Sequence, residues 1–371
     1  MDEYGVKDRF TRQWFDYLSF ALSGLPAANT QAAPVLYTMS DLHKPNTVLD
    51  YPMGGMGELS STLVKAMTKN GKGTLQLNSR VERLLLSEKN GKPHCYGVVL
   101  QNGRHIHARR GVICNAPLWN TAKILQNSIS DNNDDQDLKT PPSILAAVQE
   151  MTSLAKNTNY TGSFMHLHLG IPSTDLPADL ECHHSVLNLS TDVTAPQNLV
   201  IISIPTVFDP SLAPEGYHII HAYTAASENY NDWSKLETDA YTAPPSSSTS
   251  QQYSRSDAYR QLKDQKSRAL WDAIETIIPD VRQRAAHSHA ITLTGTPLTH
   301  RRYNSREFGT YGPAPRRGKE IWDLTGASTT FGGLFLCGDC CFPGIGLPGV
   351  AASGTIAANS VVSLGEHLGV L

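Results

Sequence analysis

The sequence lacks any long hydrophobic run. No apolar stretch approaches the roughly 18–20 residues that a membrane-spanning helix requires, so no such span is predicted. The first fifteen residues, MDEYGVKDRFTRQWF, have no apolar core and are acidic early, so they are typical of neither a signal peptide nor a transit peptide. If the protein is imported into an organelle, we expect its address to lie outside this sequence.

Charge is also scarce. Charged residues make up 18% of the 371 residues and the formal net charge is −3, which provides no electrostatic argument for binding nucleic acid or anionic lipid. Hydrophobic residues make up 40%, enough to bury a core. The length suits one large domain or two ordinary ones.

Cysteine is sparse, and the spacing of the six cysteines does not form a disulfide framework, so we predict that they are reduced. Cys337 and Cys340 have the C-x-x-C spacing, but a zinc site would need a second pair. His166 and His168 alternate on one strand and share a face. No carboxylate or second cluster accompanies them in the sequence, so we predict structural histidines and no metal.

The coarse pattern has two β-rich blocks joined by helices. Within residues 74–114, Asn90-Gly91 and Asn102-Gly103 are strong hairpin-turn signals. Strands FMHLHLGI, NLVIISIPTVF and GYHIIHAYTA are predicted between about residues 160 and 225, and helices near residues 59–67 and 262–278. Residues 243–256, APPSSSTSQQYSRS, form a low-complexity insertion.

The C-terminal region contains Gly344-Ile-Gly346-Leu-Pro-Gly349, which matches G-x-G-x-x-G. The dinucleotide-binding fingerprint also needs a second strand and an acidic residue about 20 positions further on. Only one helix, predicted from Val350 to His367, and a short tail follow the motif. We therefore reject the fingerprint interpretation.

A different unit fits the same region. The apolar strand Leu334-Phe-Leu-Cys337 delivers Gly338-Asp339 at its end, and small residues and a helix follow. Such a unit can place a carboxylate on a sugar or ribityl hydroxyl and aim a helix N-terminus at an electron-rich ring edge. An ordinary glycine-rich connection between strand and helix is the alternative.

Several segments together resemble the carotenoid isomerase (prolycopene isomerase) family of the phytoene-desaturase-like and amine-oxidase-like FAD flavoproteins. The resemblance covers most of residues 50–371. The Gly-Asp and glycine-rich motifs are shared by the whole superfamily, whereas two segments are narrower and favour the isomerases. The segments are YPMGGMGELSSTLVKAM, SRVERLLL, VVLQNGRHIHARRGVICNAP, SFMHLHLGIP, ISIPTVFDPSLAPEGYHIIHAYT and LFLCGDCCFPGIGLPGVAASG, with the narrower ECHHSVLN and GTPLTHRRYNSREFGTYGP.

The resemblance implies an α/β (α+β) fold: an incomplete FAD-binding domain of the glutathione-reductase/amine-oxidase type, and a substrate domain with mixed β-sheet and helices. Family members open with a βαβ unit carrying G-x-G-x-x-G, and this sequence starts after that point. The expected organisation is a helical part of the substrate domain at 1–50, an FAD-domain helix and hairpins at 51–120, the substrate domain at 121–300, and the C-terminal FAD-binding return at 301–371.

By resemblance, FAD is the cofactor. Val81 is expected at its adenine end, Gly338 and Asp339 at the ribityl chain, and the start of the last helix at the isoalloxazine ring. The loop that returns towards FAD is expected to contribute Asn115 and Ala116. The helix start is represented by Gly346, Leu347, Pro348, Gly349 and Val350.

The implied reaction is cis–trans isomerisation of a poly-cis carotene with no net redox change. Glu181 and Glu215 are the candidate acids, and a useful acid here would have a pKa raised by burial. The expected partner is an apolar carotenoid at a plastid membrane surface. Two alternatives stay open: an FAD-dependent carotene desaturase or retinol-saturase-like oxidoreductase, and a non-catalytic truncated paralogue.

Overall fold

The computed structural model describes residues 1–47, 51–69, 73–130, 139–236, 256–314 and 324–368. The helices are α1 (Arg9–Ser23), α2 (Ala32–Leu42), α3 (Gly57–Thr68), α4 (Leu118–Ser130), α5 (Pro142–Lys156), α6 (Asn231–Ser234), α7 (Asp257–Glu275), α8 (Val281–Ala285), α9 (Pro297–Asn304), α10 (Leu347–Val361) and α11 (Leu364–Leu368). Short 3-10 turns occupy Ala27–Asn29, Pro205–Val207, Pro210–Leu212 and Glu307–Gly309.

The structure mixes these helices with runs of strands, which confirms the α/β (α+β) class. They are β1 (Val81–Lys89), β2 (Lys92–Leu100), β3 (His105–His107), β4 (Val112–Cys114), β5 (Asn159–Tyr160), β6 (His166–Pro172), β7 (His183–Leu187), β8 (Leu199–Ser203), β9 (Tyr217–Thr224), β10 (Ile291–Gly295), β11 (Pro313–Ala314) and β12 (Leu334–Leu336). No helix in the described ranges is both long and apolar enough to cross a membrane.

The chain packs into two compact units. Unit 1 comprises Met1–Leu75 and Thr161–Tyr311, and unit 2 comprises Gln76–Tyr160 and Gly312–Leu371. Residues 51–75 thus pack with unit 1 and residues 121–160 with unit 2, whereas the sequence placed its domain boundaries at 50, 120 and 300. The assignment of FAD-binding and substrate-binding roles to domains stays a prediction.

Unit 1 is built on an antiparallel five-stranded sheet with the order β10-β6-β9-β8-β7. The three strands predicted between residues 160 and 225 are confirmed as β6, β8 and β9. Because successive residues of a strand point to opposite faces of the sheet, every second side chain lies on the face that packs against α7. These side chains and α7 form the hydrophobic core of unit 1. Its fully buried members include Leu167, Leu169, Ile202, Ile220, Trp233 and Leu270.

Unit 2 combines a hairpin, helices and a parallel strand pair. β1 and β2 join through Asn90 and Gly91, both with positive φ, which confirms the predicted turn. α4 and α5 pack against this sheet and against β12, around the fully buried Leu125. β4 and β12 pair in parallel, with Val112 opposite Leu334 and Cys114 opposite Leu336.

Some details differ from the sequence predictions. Regular strand begins at Val81, so residues 74–80, which the sequence predicted as part of a β-block, are not in a strand. The last helix ends at Val361 and a new one starts at Leu364, because Val362 adopts an extended conformation. Residues 243–255 of the low-complexity insertion lie outside the described part of the chain.

Candidate functional site

The parallel pair in unit 2 brings two predicted cofactor segments together. Asn115 and Ala116 follow β4, and Gly338 and Asp339 follow β12, so both segments leave the same edge of the pair. The backbone N–H of Cys337 donates to the carbonyl of Cys114 at 3.0 Å and extends the ladder by one residue. Ligands of open α/β sheets bind outside the carboxyl ends of the strands, which is where these residues lie.

Gly338 has a backbone conformation that favours glycine. It has φ +104°, a conformation that side chains rarely adopt, and a Cβ there would lie 2.4 Å from Asn115 Oδ1. Gly338 is buried and Asn115 is exposed. The glycine therefore lets the two strand ends approach, and the sequence spacing alone gave no sign of this contact.

Asp339 and the start of α10 follow immediately. Asp339 is half-buried, and its Oδ2 lies 3.3 Å from the position that a Cβ on Gly312 would occupy. Gly346 caps α10 with φ +98°, and no side chain caps the helix start. Leu347 is 53% exposed, so the helix begins with an apolar side chain facing outward.

The remaining helix-start residues form a close turn. Gly349 carries no side chain where a Cβ would meet the carbonyl oxygen of Gly344 at 2.6 Å. Pro348 occupies the first turn, where a missing N–H costs little, and Val350 donates its N–H to the Gly346 carbonyl at 2.9 Å. Within the described residues that follow α10, the structure has one short helix, α11.

Val81 belongs to a different sheet of unit 2. It opens β1 in the three-stranded sheet of unit 2, half-buried and paired with Leu100. The structure therefore brings Asn115, Gly338 and Asp339 together, whereas the role of Val81 at an adenine ring stays a prediction.

Ser353 of α10 forms a hydrogen bond with the backbone just after β12. Its buried hydroxyl accepts a hydrogen bond from the backbone N–H of Gly338 at 3.1 Å. We expect Ser353→Ala to lower the free energy of unfolding by about 1–2 kcal/mol, because the Gly338 N–H is left unpaired in the interior. Ser360→Ala, an exposed site on the same helix, is the control and should change stability by less than about 0.5 kcal/mol in urea denaturation. Equal effects of the two variants would contradict this role.

The two candidate acids are both exposed in unit 1. Glu181 precedes β7, and its backbone carbonyl pairs with His184 Nε2 at 2.8 Å. Glu215 lies in the loop before β9. The structure does not bring them to a common site, and their catalytic role stays a prediction.

Glu228 is a buried acid of unit 1 that the sequence reasoning missed. Its side chain is 0% exposed, and Lys266 Nζ lies 3.4 Å from Oε2. Burial raises the pKa of Glu228 above its ordinary value, although the Lys266 charge acts in the opposite direction. Burial lowers the pKa of Lys266, but Glu228 and Asp232 together raise it above its ordinary value. No local sequence signal marks this pair, because its members are far apart in the chain.

The open face of the unit 1 sheet carries a cluster of histidines. His166 and His168 share one face, as predicted, and antiparallel pairing places His221 directly opposite His168. His300 of α9 joins them, with its ring centroid 4.7 Å from that of His166. The sequence spacing around His166 and His168 does not show this contact, because β9 supplies His221 from a distant part of the chain.

All four imidazoles are held neutral. Burial, together with neighbouring imidazoles, lowers the pKa of His166 to about 2 and that of His221 to about 4. Burial, with a contribution from Arg306, lowers the pKa of His300 to about 4, and burial also lowers that of His168. These side chains border a pocket of about 220 Å³, lined by His166, His168, His221, Gly295, Thr299, His300, Tyr303 and Asn304.

None of the six cysteines forms a disulfide in the structure, and their reduced state stays a prediction. Burial raises the pKa of Cys341 to about 12 and raises that of Cys337. Cys340 Sγ lies 3.5 Å from the backbone N–H of Leu118 and accepts from it. The C-x-x-C residues therefore serve as packed thiols beside the parallel pair.

Comparison with solved structures supports the fold class. The chain is similar to an oxidoreductase from Methanosarcina mazei, with a TM-score of 0.54 and 17% identity, over 95% of this chain and 65% of that one. No protein-family model matches. At 17% identity, this likeness concerns the fold alone.

Curated relatives match this chain at higher sequence identity than the solved structure does. The chain is 31% identical to prolycopene isomerase 2 of an Oncidium hybrid cultivar and 30% identical to prolycopene isomerase of Arabidopsis thaliana, in each case over 96% of this chain and 53% of the relative. It is 24% identical to a neurosporene-forming phytoene desaturase of Rhodobacter capsulatus. The resemblance to the carotenoid isomerase family is thus confirmed along almost all of this chain, which spans about half the length of the isomerases it matches.

Proposed function

We propose that this protein is an FAD-dependent carotenoid cis–trans isomerase that converts a poly-cis carotene, such as prolycopene, to the all-trans form. The observation that carries the proposal is the 31% identity to a prolycopene isomerase over 96% of this chain. The match to a phytoene desaturase is weaker, at 24% identity. The chemistry favoured is therefore rotation of double bonds without net oxidation.

The residues at the carboxyl edge of the parallel pair fit part of a flavin site. Gly338 and Gly346 leave bare backbone at the end of β12 and the start of α10, where a side chain at Gly338 would collide with Asn115. Asp339 offers a half-buried carboxylate at the same turn. Bare backbone beside a carboxylate and a helix N-terminus suits a flat cofactor with a hydroxylated chain.

Each residue has a specific task in this proposal. The Asp339 carboxylate accepts hydrogen bonds from ribityl hydroxyls, and the uncapped first turn of α10 presents N–H groups to an electron-rich ring edge. The exposed Leu347 packs on an apolar ring face and excludes water. Reduced FAD, when bound, supplies the transient electron donation that lowers the π bond order of a polyene and permits rotation.

The partner and location follow from the same family. The substrate is a long hydrocarbon, so the proposed protein takes it from a membrane surface into an apolar site. The plant isomerases are named as chloroplastic, and we place this protein in a plastid on that ground. Glu181 and Glu215 remain the candidate acids of the proposal.

The function is tested with purified protein, added FAD and poly-cis lycopene under reducing conditions. The expected product has unchanged mass and all-trans geometry by chromatography and absorbance. A product that has lost or gained two hydrogens would overturn isomerisation in favour of a desaturase or saturase. Colourless protein that takes up no FAD and leaves the substrate unchanged would overturn both enzymatic interpretations and favour the non-catalytic paralogue.

Asp339→Asn tests the cofactor assignment directly. We expect the variant to bind FAD at least about tenfold more weakly, because a neutral amide makes weaker hydrogen bonds to hydroxyls than a carboxylate does. Glu150→Gln, an exposed change on α5 of the same unit, should bind FAD as the wild type does. Flavin fluorescence titration gives the affinities, and circular dichroism checks that both variants are folded. Unchanged FAD affinity in a folded Asp339→Asn variant would remove Asp339 from the site.

A further inference from the structure

The histidine cluster of unit 1 has no role in the proposed flavin chemistry. We propose that His166, His168 and His221 form a binding site for one divalent transition-metal ion of the zinc type. The ligand atoms of these three side chains all lie within 4.8 Å of one another. The inference does not depend on the proposed isomerase function, since it concerns different residues of a different unit.

Sheet geometry assembles the three side chains. His166 and His168 project from the same face of β6, and His221 lies across from His168 on β9. The rings of His168 and His221 stack with centroids 4.2 Å apart, and those of His166 and His221 with centroids 5.1 Å apart. The ladder register therefore holds three imidazoles together on a rigid surface, as a metal site requires.

One nitrogen of the cluster has no partner. His166 Nδ1 lies 2.8 Å from His221 Nε2, so one proton is shared between these atoms. The other nitrogen, His166 Nε2, is buried and makes no hydrogen bond within the described structure. If a metal ion replaces the shared proton, His166 Nδ1 and His221 Nε2 become its ligand atoms, and His166 Nε2 carries the ring proton.

The chemical character of the cluster suits zinc, nickel or copper. Neutral imidazole is the form that binds metal. Imidazole ligands favour these ions over magnesium and calcium, which prefer oxygen. The ring of Tyr223 stacks on those of His166 and His221.

The geometry needs only side-chain adjustment. Tetrahedral zinc with Zn–N distances of about 2.0–2.1 Å would place its ligand nitrogens about 3.3 Å apart. The shared-proton pair must open slightly and the longer separations must close, which rotation of the broad histidine χ2 torsion allows. The adjoining pocket of about 220 Å³ leaves room for a fourth ligand, with His300 and Asn304 on its wall.

The test uses the whole chain, stripped with chelator and then titrated with Zn²⁺ by calorimetry and with Co²⁺ by visible absorbance. We expect one ion per chain and a Co²⁺ spectrum typical of nitrogen ligands without thiolate charge-transfer bands. His168→Ala and His221→Ala should each weaken Zn²⁺ binding at least about tenfold, because a three-ligand site loses one ligand. Zn²⁺ should also raise the melting temperature of the wild type.

Two control variants make the outcome decisive. His183→Ala removes an exposed histidine of the same sheet and should leave binding unchanged. Cys337→Ser removes a C-x-x-C thiol and should also leave it unchanged. His168 is exposed, so its replacement should preserve the fold, which circular dichroism verifies. Wild-type-like binding in His168→Ala, loss of binding in Cys337→Ser, or no binding by the wild type would each overturn the site.

Discussion

Lys266→Met is expected to lower the free energy of unfolding by about 3–5 kcal/mol at pH 7. Lys266 Nζ lies 3.4 Å from Oε2 of Glu228, whose side chain is fully buried, and 3.1 Å from Oδ2 of the more exposed Asp232. Removing the lysine leaves an uncompensated carboxylate in the core of unit 1, and breaking a buried pair on one side is far more costly than replacing both partners.

The companion variants separate this cause from lost packing. Glu228→Gln alone should change stability much less than Lys266→Met, because Lys266 is 17% exposed and keeps Asp232 as a partner. The double variant Glu228→Gln/Lys266→Met should recover most of the loss, since no buried charge remains. Urea denaturation gives the three values. If the double variant were as unstable as Lys266→Met, lost packing rather than the unpaired carboxylate would be the cause.

The same prediction has a pH dependence with a definite sign. Burial raises the pKa of Glu228 above its ordinary value of 4.5, and loss of Lys266 should raise it further. A carboxyl with a higher pKa in the folded state favours folding at low pH, and that contribution is lost as the pH rises through the folded-state pKa. The deficit of Lys266→Met relative to wild type should therefore be small below pH 4.5 and grow toward neutral pH.

Gly349→Ala is expected to destabilise the protein by about 2–3 kcal/mol and to weaken FAD binding. The added Cβ would lie 2.6 Å from the Gly344 carbonyl oxygen and 3.2 Å from the carbonyl carbon, both backbone atoms that cannot rotate away. The start of α10 must then shift, and with it the turn that carries the proposed cofactor residues. Urea denaturation and flavin titration measure the two effects.

Gly354→Ala is the matched control on the same helix. A Cβ at Gly354 would meet no atom within 4 Å, and the residue lies in the interior of α10. Alanine has the higher helix propensity, so this variant should gain about 0.5–1 kcal/mol of stability and bind FAD as the wild type does. If both variants changed the free energy of unfolding in the same direction, the close approach to the Gly344 carbonyl would not be the reason that position 349 requires glycine.

Much of the fold was predictable because its signals are local. Asn90-Gly91 marked the β1–β2 turn, alternating apolar residues marked β6, β8 and β9, and four-residue spacing marked α3. The break after Val361 was not predicted, because the residues between α10 and α11 carry no proline or glycine signal. The chain segments that make up each compact unit were the hardest feature to predict from local signals. Units 1 and 2 each combine two segments that are distant in the sequence.

The candidate flavin residues were predicted from the motif around Gly338 and Asp339 and from family resemblance. Their meeting with Asn115 depends on the parallel pairing of β4 and β12, which residue spacing does not specify. The sequence pointed to two exposed glutamates as acids and passed over Glu228, because its burial arises from packing against α7.

By itself, the amino-acid sequence determined the α/β class, the Gly-Asp turn before a helix and the family resemblance. Each of these depends on residues that are neighbours in the chain. Only the tertiary structure decided that His221 faces His168, that Lys266 meets Glu228 and that Gly338 touches Asn115. These contacts join segments far apart in sequence, and their partners are chosen by strand register and core packing, which no local pattern encodes.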